Sequence, residues 1–378
     1  DIMMFCKANR ENIQALSNLF MKYAETSGQL VNPTKSFIYA GAVTPQRLQF
    51  IADQLGFNIG TLPFIYLGAP IFKGKPKRVH FQAVADKIKS KFSAWKASHL
   101  SMAGRVQLIR SVIQGMMMHT ISVYSWPTSL IKDIERWMRN FIWSGDVNQR
   151  KLVTVAWHRV CSPFNEGGLG LRSLSKLNEA TNLKLCWEIS QSNLQWAKFI
   201  RHRVIKGSKP ISYHIFSSIW SGVKNKFQEV CCNSFWQIGN GEDVNFWLDP
   251  WCGDPLVLSL AIPSQMHSLL KAKVKDFIED QSWKIPNCLL LAYPILQNLV
   301  DSITIPMFEK EDKLLWNLSH DGDLSLKDAY SFYNPAGQQL IWTKLVWNAY
   351  IPPSKSMIIW RCLQHKLPTD DNLSLRGC

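Results

Sequence analysis

Between Phe81 and Trp95 the apolar residues fall at Phe81, Val84, Ile88, Phe92 and Trp95, a spacing that places them along one side of an α-helix. Lys87 and Lys91 stand four apart on the flank of that stripe. A segment patterned this way has to bury one face and solvate the other, so it must be a surface helix packed on a core. The next stretch repeats the pattern. Ser101 is a candidate N-cap, Val106, Ile109, Ile113 and Met116 form the apolar side, and Arg105 and Arg110 are expected on the exposed one. Together the two segments predict a helical subdomain with one apolar and one basic side.

The basicity of this region is concentrated. Ten Lys and Arg residues and one acid, Asp86, lie between Lys73 and Arg110, and five more bases without an acid lie between Lys198 and Lys209. Residues 271–330 instead hold ten acids and seven bases, while the whole chain carries a formal charge of +15. A concentrated basic segment points to a polyanionic partner, most often nucleic acid, with a solvated helix face as the other reading.

With 378 residues the chain has room for two or three domains. Its 46% hydrophobic and 19% charged residues exclude a disordered polymer. Most of the sixteen tryptophans are assigned to cores. Nine cysteines without a regular framework fit a reducing compartment better than a disulfide scaffold. No apolar run approaches the roughly 18 residues of a membrane span. The longest, Gly115 to Trp126, is broken by His119, Thr120 and Ser122.

Ahead of the basic helices, Ile2 to Cys6 reads as a buried strand entered from Asp1. Asn9 can cap a helix carrying Ile13, Leu16, Phe20 and Tyr23, which Gly28 ends. Asn32 to Lys35 is a turn and Ser36 to Ala40 a second strand. Thr44-Pro45 opens a helix ended by Gly56, and Thr61 to Phe72 is extended and bent at Gly68 and Pro70. Helices are expected again over Ile131 to Trp143 and Leu174 to Ile189. Phe235 to Ile238, a Gly239-Asn240-Gly241 turn and Val244 to Trp247 read as a β-hairpin. The fold class expected is α+β and predominantly helical.

Asp1-Ile2-Met3-Met4-Phe5-Cys6-Lys7-Ala8 resembles the stretch after the first acid in the Ala-Asp-Asp hairpin of reverse transcriptases from non-LTR (LINE-type) retrotransposons, particularly those of plants. Gly28 to Ser36 resembles the next polymerase motif, and Phe64 to Phe72 resembles the primer-grip segment beyond it. Leu100 to Ile109 is similar to the family's thumb. Gly167 to Leu171 and Gly239 to Trp251 are similar to its connecting regions, and Trp342 to Arg376 is similar to the start of its zinc-binding module. The resemblance implies a residual palm and primer grip over 1–75, a thumb-like helical subdomain over 76–145, a connecting region over 146–335 with its hairpin near 234–248, and an incomplete zinc-binding module over 336–378.

That likeness implies a chemistry. Two Mg2+ ions would bridge the primer hydroxyl, the triphosphate and carboxylates, with Asp1 as one metal ligand. Lys35 would face the leaving pyrophosphate. Tyr66, Leu67 and Gly68 would hold the primer end, with Gly68 letting the backbone approach nucleic acid closely. Lys87, Lys91, Arg105 and Arg110 would track phosphates of an RNA template and DNA primer. The family's other metal-binding acids would lie upstream of Asp1, and one carboxylate cannot hold two Mg2+ ions, so this chain is expected to be inactive alone. The family's zinc ligands would lie beyond Cys378, leaving no zinc site within the chain. A nuclear location follows from the resemblance, with no membrane or small-molecule cofactor. The alternative is a non-catalytic nucleic-acid-binding remnant.

Several tempting features are read as structural. Cys362 and His365, with Cys378 further on, lack a fourth ligand, and so do His158 and Cys161. Glu166 to Leu171 is glycine-rich but lacks a following Lys-Ser/Thr, so it is a bend between packed elements and not a phosphate loop. Trp236, Phe246, Trp247 and Trp251 are assigned to a hydrophobic hairpin core in preference to a base-stacking platform.

Overall fold

The computed structural model describes residues 2–95, 99–206, 209–308 and 310–374. It is an α+β structure in which helices predominate and the strands form two-stranded pieces. The chain divides into two compact units, residues 1–74 and 75–378.

In the first unit local chemistry sets the helix ends as expected. Asn9 accepts from the Asn12 amide at the start of Arg10–Ser27, and Gly28 closes that helix at φ 69°. Thr44 caps Pro45–Leu55, and Gly56 ends it at φ 68°. Ile13, Ile51 and Ala52 are buried, and Phe20 packs on Phe57 with ring centroids 5.7 Å apart. Phe37–Ile38 pairs in parallel with Asn58–Ile59. Phe64–Tyr66 turns back on Ala69–Ile71.

Ile2 to Cys6 departs from expectation. It forms no strand, and Ile2 and Phe5 are 83% and 88% exposed. A strand is stable only where a neighbour completes its ladder, and no described strand lies beside this segment. Asp1 lies outside the described residues.

In the second unit, Arg78–Ala94 buries Phe81, Ala85, Ile88 and Phe92. Phe81 packs against Trp126 and Tyr124, and Phe92 against Phe141 of the Thr128–Ser144 helix. Ser101 caps Met102–Leu108, which continues through a π-helical turn at Ile109–Ile113 into Gln114–Ile121. The wider turn retards the helical phase. The buried series is therefore Ile109, Ile113, Met117 and Ile121, with Met117 in the place expected for Met116.

The Leu174–Gln191 helix is the central support of the remainder. Its N-terminus is held by Glu135, whose Oε1 accepts from the Leu174 amide at 2.8 Å. Leu183 and Trp187 on this helix pack with Trp220, Phe227, Trp316 and Leu324. Phe246, Trp247 and Trp251 are in a second core, as expected, but they share it with Phe277 and not with a hairpin partner; Trp236 is partly buried against it.

The expected hairpin over 234–248 does not form. Ser234–Gln237 pairs antiparallel with Lys313–Trp316, and Phe246 and Val244 instead bond to Ala272 and Val274. The reason is Asp312. Its carboxylate accepts from the amides of Gly239 at 2.7 Å, Gly241 at 2.9 Å and Asp243 at 2.9 Å. The Gly-Asn-Gly loop wraps a carboxylate instead of turning a hairpin.

Candidate nucleic-acid interface

Lys35 ends the short helix Pro33–Lys35, whose cap Asn32 accepts from the Thr34 amide at 3.0 Å. The turn is tied down by Asn58, which donates to the Thr34 carbonyl at 3.2 Å. Lys35 itself is exposed. The following strand leads to Tyr39, whose ring stacks on Phe64 at 3.7 Å, at the base of the Tyr66-to-Ala69 hairpin. At its tip Leu67 and Gly68 both have positive φ, 46° and 81°, the geometry that a two-residue hairpin loop requires. Gly68 has open space where a Cβ would stand, and the Leu67 side chain is exposed while Tyr66 is half-buried. The first unit therefore presents an exposed Lys and an exposed hairpin tip, linked by one aromatic stack.

In the second unit the four expected phosphate contacts separate into two kinds. Lys87 and Lys91 are exposed on the outer flank of Arg78–Ala94. Neighbouring cations on this helix are engaged: Arg78 is 2.6 Å from Asp133, and the Lys89 ammonium sits 5.6 Å from the centre of the Trp137 ring.

Arg105 and Arg110 are not exposed as expected but half-buried. Arg105 Nη1 donates to the Ile142 carbonyl at 3.2 Å, in the last turn of a helix. Arg110 donates to the Leu169 carbonyl and lies 4.8 Å from the centre of the Phe164 ring. Helix-end and bend carbonyls need donors, and a guanidinium supplies them where water is excluded. Burial lowers the pKa of both groups from the usual arginine value. Arg201 acts likewise, with Nη1 donating to the Ile189 and Ser192 carbonyls at 2.7 and 2.8 Å. Charge alone could not tell these arginines from the lysines.

Among the described residues no three His, Cys, Asp or Glu side chains converge on a point. The Mg2+ expectation rests on Asp1, outside the described residues. Cys362 and His365 are both exposed and no third described ligand joins them; Cys378 is outside the described residues. His158 faces solvent whereas Cys161 is buried, and burial pushes its thiol up to about 12. The Glu166-to-Leu171 segment is a packed bend: Leu169 and Leu171 are buried, and the Gly167 carbonyl accepts from Trp360 Nε1 at 2.7 Å.

Trp360 belongs to the helix Pro353–Leu363, which packs against Met102–Leu108. Residues 324–378, which include it, match the family described as zinc-binding in reverse transcriptase. That segment is similar to the zinc-binding module of reverse transcriptases. The match starts at Leu324, ahead of the 336 boundary expected for this module. Two curated relatives come from Arabidopsis thaliana. One, provisionally named a ribonuclease H protein, is 24% identical over 311 residues, covering 77% of this chain and 49% of its own length. The other, an uncharacterized mitochondrial protein, is 28% identical over 141 residues, covering 36% of this chain and 92% of its own. The chain thus spans about half the length of the longer relative. No helix among the described residues is long and apolar enough to cross a membrane.

Proposed function

We propose that this chain is part of an RNA-directed DNA polymerase of a LINE-type retrotransposon, and that it holds the template–primer duplex. One observation carries the reading. The segment matched to the reverse-transcriptase zinc-binding family follows, in the order of such a polymerase, three motifs resembling palm and primer grip and a basic helix pair resembling a thumb. Lys87 and Lys91 are the phosphate contacts, because they are the exposed members of the expected four. Arg105 and Arg110 instead tie their own helical run to the Ile142 and Leu169 carbonyls.

Nucleotide addition with Mg2+, an RNA template, a DNA primer and work in the nucleus are proposed for the whole protein. Lys35 and the Tyr66–Gly68 tip serve the pyrophosphate and the primer end, respectively. Zinc binding is likewise proposed for the whole protein and not for Cys362 and His365. The test is binding of an RNA–DNA hybrid across a salt series. Neutralising Lys87 and Lys91 together, as Lys87→Gln and Lys91→Gln, should flatten the slope of log affinity against log salt by about 1.8. An unchanged slope overturns the assignment.

A further inference from the structure

From Ile189 to Gln228 the chain carries seven Lys and Arg residues and no Asp or Glu. The helix Gln195–Val204 crosses this stretch and buries Ala197 and Val204. Its outward face carries Trp196, Phe199 and Arg203, at i, i+3 and i+7, with His202 beside them. Trp196 is 40% and Phe199 66% exposed, and the other fifteen tryptophans are all buried or half-buried. An exposed tryptophan is thus an exception in a chain that otherwise shelters them. Past the helix, Ile205–Lys206 pairs with Lys209–Pro210, and the Lys206 ammonium lies 5.6 Å from the centre of the Tyr213 ring. Tyr213 is itself 52% exposed.

Exposed flat rings and cations, in a stretch whose own sequence carries no acid, are the two elements of single-strand recognition: bases stack and the backbone is neutralised. We propose that this face binds single-stranded RNA, with Trp196, Phe199 and Tyr213 stacking on bases and Arg203 and Lys206 contacting phosphates. Duplex does not suit it, since paired bases present no free face to a ring. An anionic membrane suits it less, because an interfacial helix segregates its apolar face from its cations. Here the apolar face is turned into the core, and the exposed rings share a stripe with Arg203. The choice of RNA over DNA rests on the polymerase reading, in which the unpaired strand is the template.

The test is fluorescence anisotropy on the full chain with labelled oligouridine, oligothymidine and RNA–DNA hybrid. Phe199→Ala and Tyr213→Ala should each weaken oligouridine binding by about 5- to 100-fold and leave the salt slope unchanged. Arg203→Gln with Lys206→Gln should lower the single-strand slope by about 1.4. Hybrid binding, which reads Lys87 and Lys91, should be unaffected by all of them. Lys87→Gln with Lys91→Gln should do the reverse, so either assignment can fail without the other. The proposal is overturned if the aromatic variants melt and bind oligouridine like the parent chain. It is also overturned if oligothymidine binds more tightly than oligouridine, or if phosphatidylserine vesicles bind and oligouridine does not.

Discussion

The indole of Trp360 donates to the carbonyl oxygen of Gly167 at 2.7 Å, joining two residues 193 positions apart in the sequence. Trp360 is fully buried and stacks on Trp143, with ring centroids 6.3 Å apart. Removing the ring should leave a large cavity, and Trp360→Ala is expected to cost about 3–5 kcal/mol. Trp360→Phe keeps most of the volume but loses the donor. It should cost about 1–3 kcal/mol. Gly168 beside it has no slack, since a Cβ there would stand 2.0 Å from the Ser162 carbonyl oxygen. Gly168→Ala should be as damaging as the loss of the tryptophan. Urea denaturation of the three variants, followed by circular dichroism, checks the order.

Asp312 is the fastener of the loop at Gly239 to Asp243. A carboxylate that accepts three amides makes charge-assisted bonds, worth about 1.5–3 kcal/mol each before non-additivity. Asp312→Ala should free the three amides and unpin this loop while leaving the Leu183–Trp187 core intact. Hydrogen exchange resolves the two. Protection should fall at Gly239, Gly241 and Asp243 and persist in the Leu174–Gln191 helix. Equal loss in both places would mean that Asp312 supports the whole unit.

These contacts explain what the sequence could and could not reveal. Helix ends were legible because Asn9, Thr44 and Ser101 act on amides within three residues, and Gly28 and Gly56 on the adjacent turn. The hairpin near 234–248 was misread because its turn is held by Asp312, which no local pattern announces. Regular spacing puts Met116 on the apolar side, where the structure has Met117, because a π-helical turn leaves no simple mark in residue spacing. In the candidate interface, Lys87 and Lys91 were legible as a solvated flank. Arg105 and Arg110 were not, because their destinations, the Ile142 and Leu169 carbonyls, are set by tertiary packing. The stripe of Trp196, Phe199 and Arg203 was half legible. Its charge was evident, but its rings could as well have been core.

Thiol chemistry offers a map of burial. Burial pushes Cys161 up to about 12, helped by Glu135, and holds Cys186 well above the ordinary thiol value. The thiolate is the reacting form, so neither should alkylate in the folded protein near neutral pH. Cys6, Cys232, Cys288 and Cys362 are exposed and should react first. Peptide mass spectrometry after brief iodoacetamide treatment reads the order directly. Labelling of Cys186 as fast as Cys288 would contradict the packing around Trp187.

Lys226 sets the last prediction. Its ammonium is buried 2.6 Å from Glu179 and 2.8 Å from Glu229, and 4.7 Å from the centre of the Tyr333 ring. Burial lowers its pKa, but hydrogen bonds to Glu179, Glu229 and Tyr333 outweigh that and raise it. Tyr333 is raised as well, by burial and by its hydrogen bond to Glu229. For both groups the folded state holds the proton more tightly than the unfolded chain. Their contribution is therefore complete below the unfolded values, about 10, and is lost as pH rises beyond them. The melting temperature should fall as pH climbs above about 10. Lys226→Met should cost about 3 kcal/mol at neutral pH, because two glutamates lose their partner while keeping some contact with water. The same variant should show a shallower alkaline decline. Melting curves recorded from neutral pH upward test both, and an undiminished decline in Lys226→Met would remove Lys226 as a source of the pH dependence.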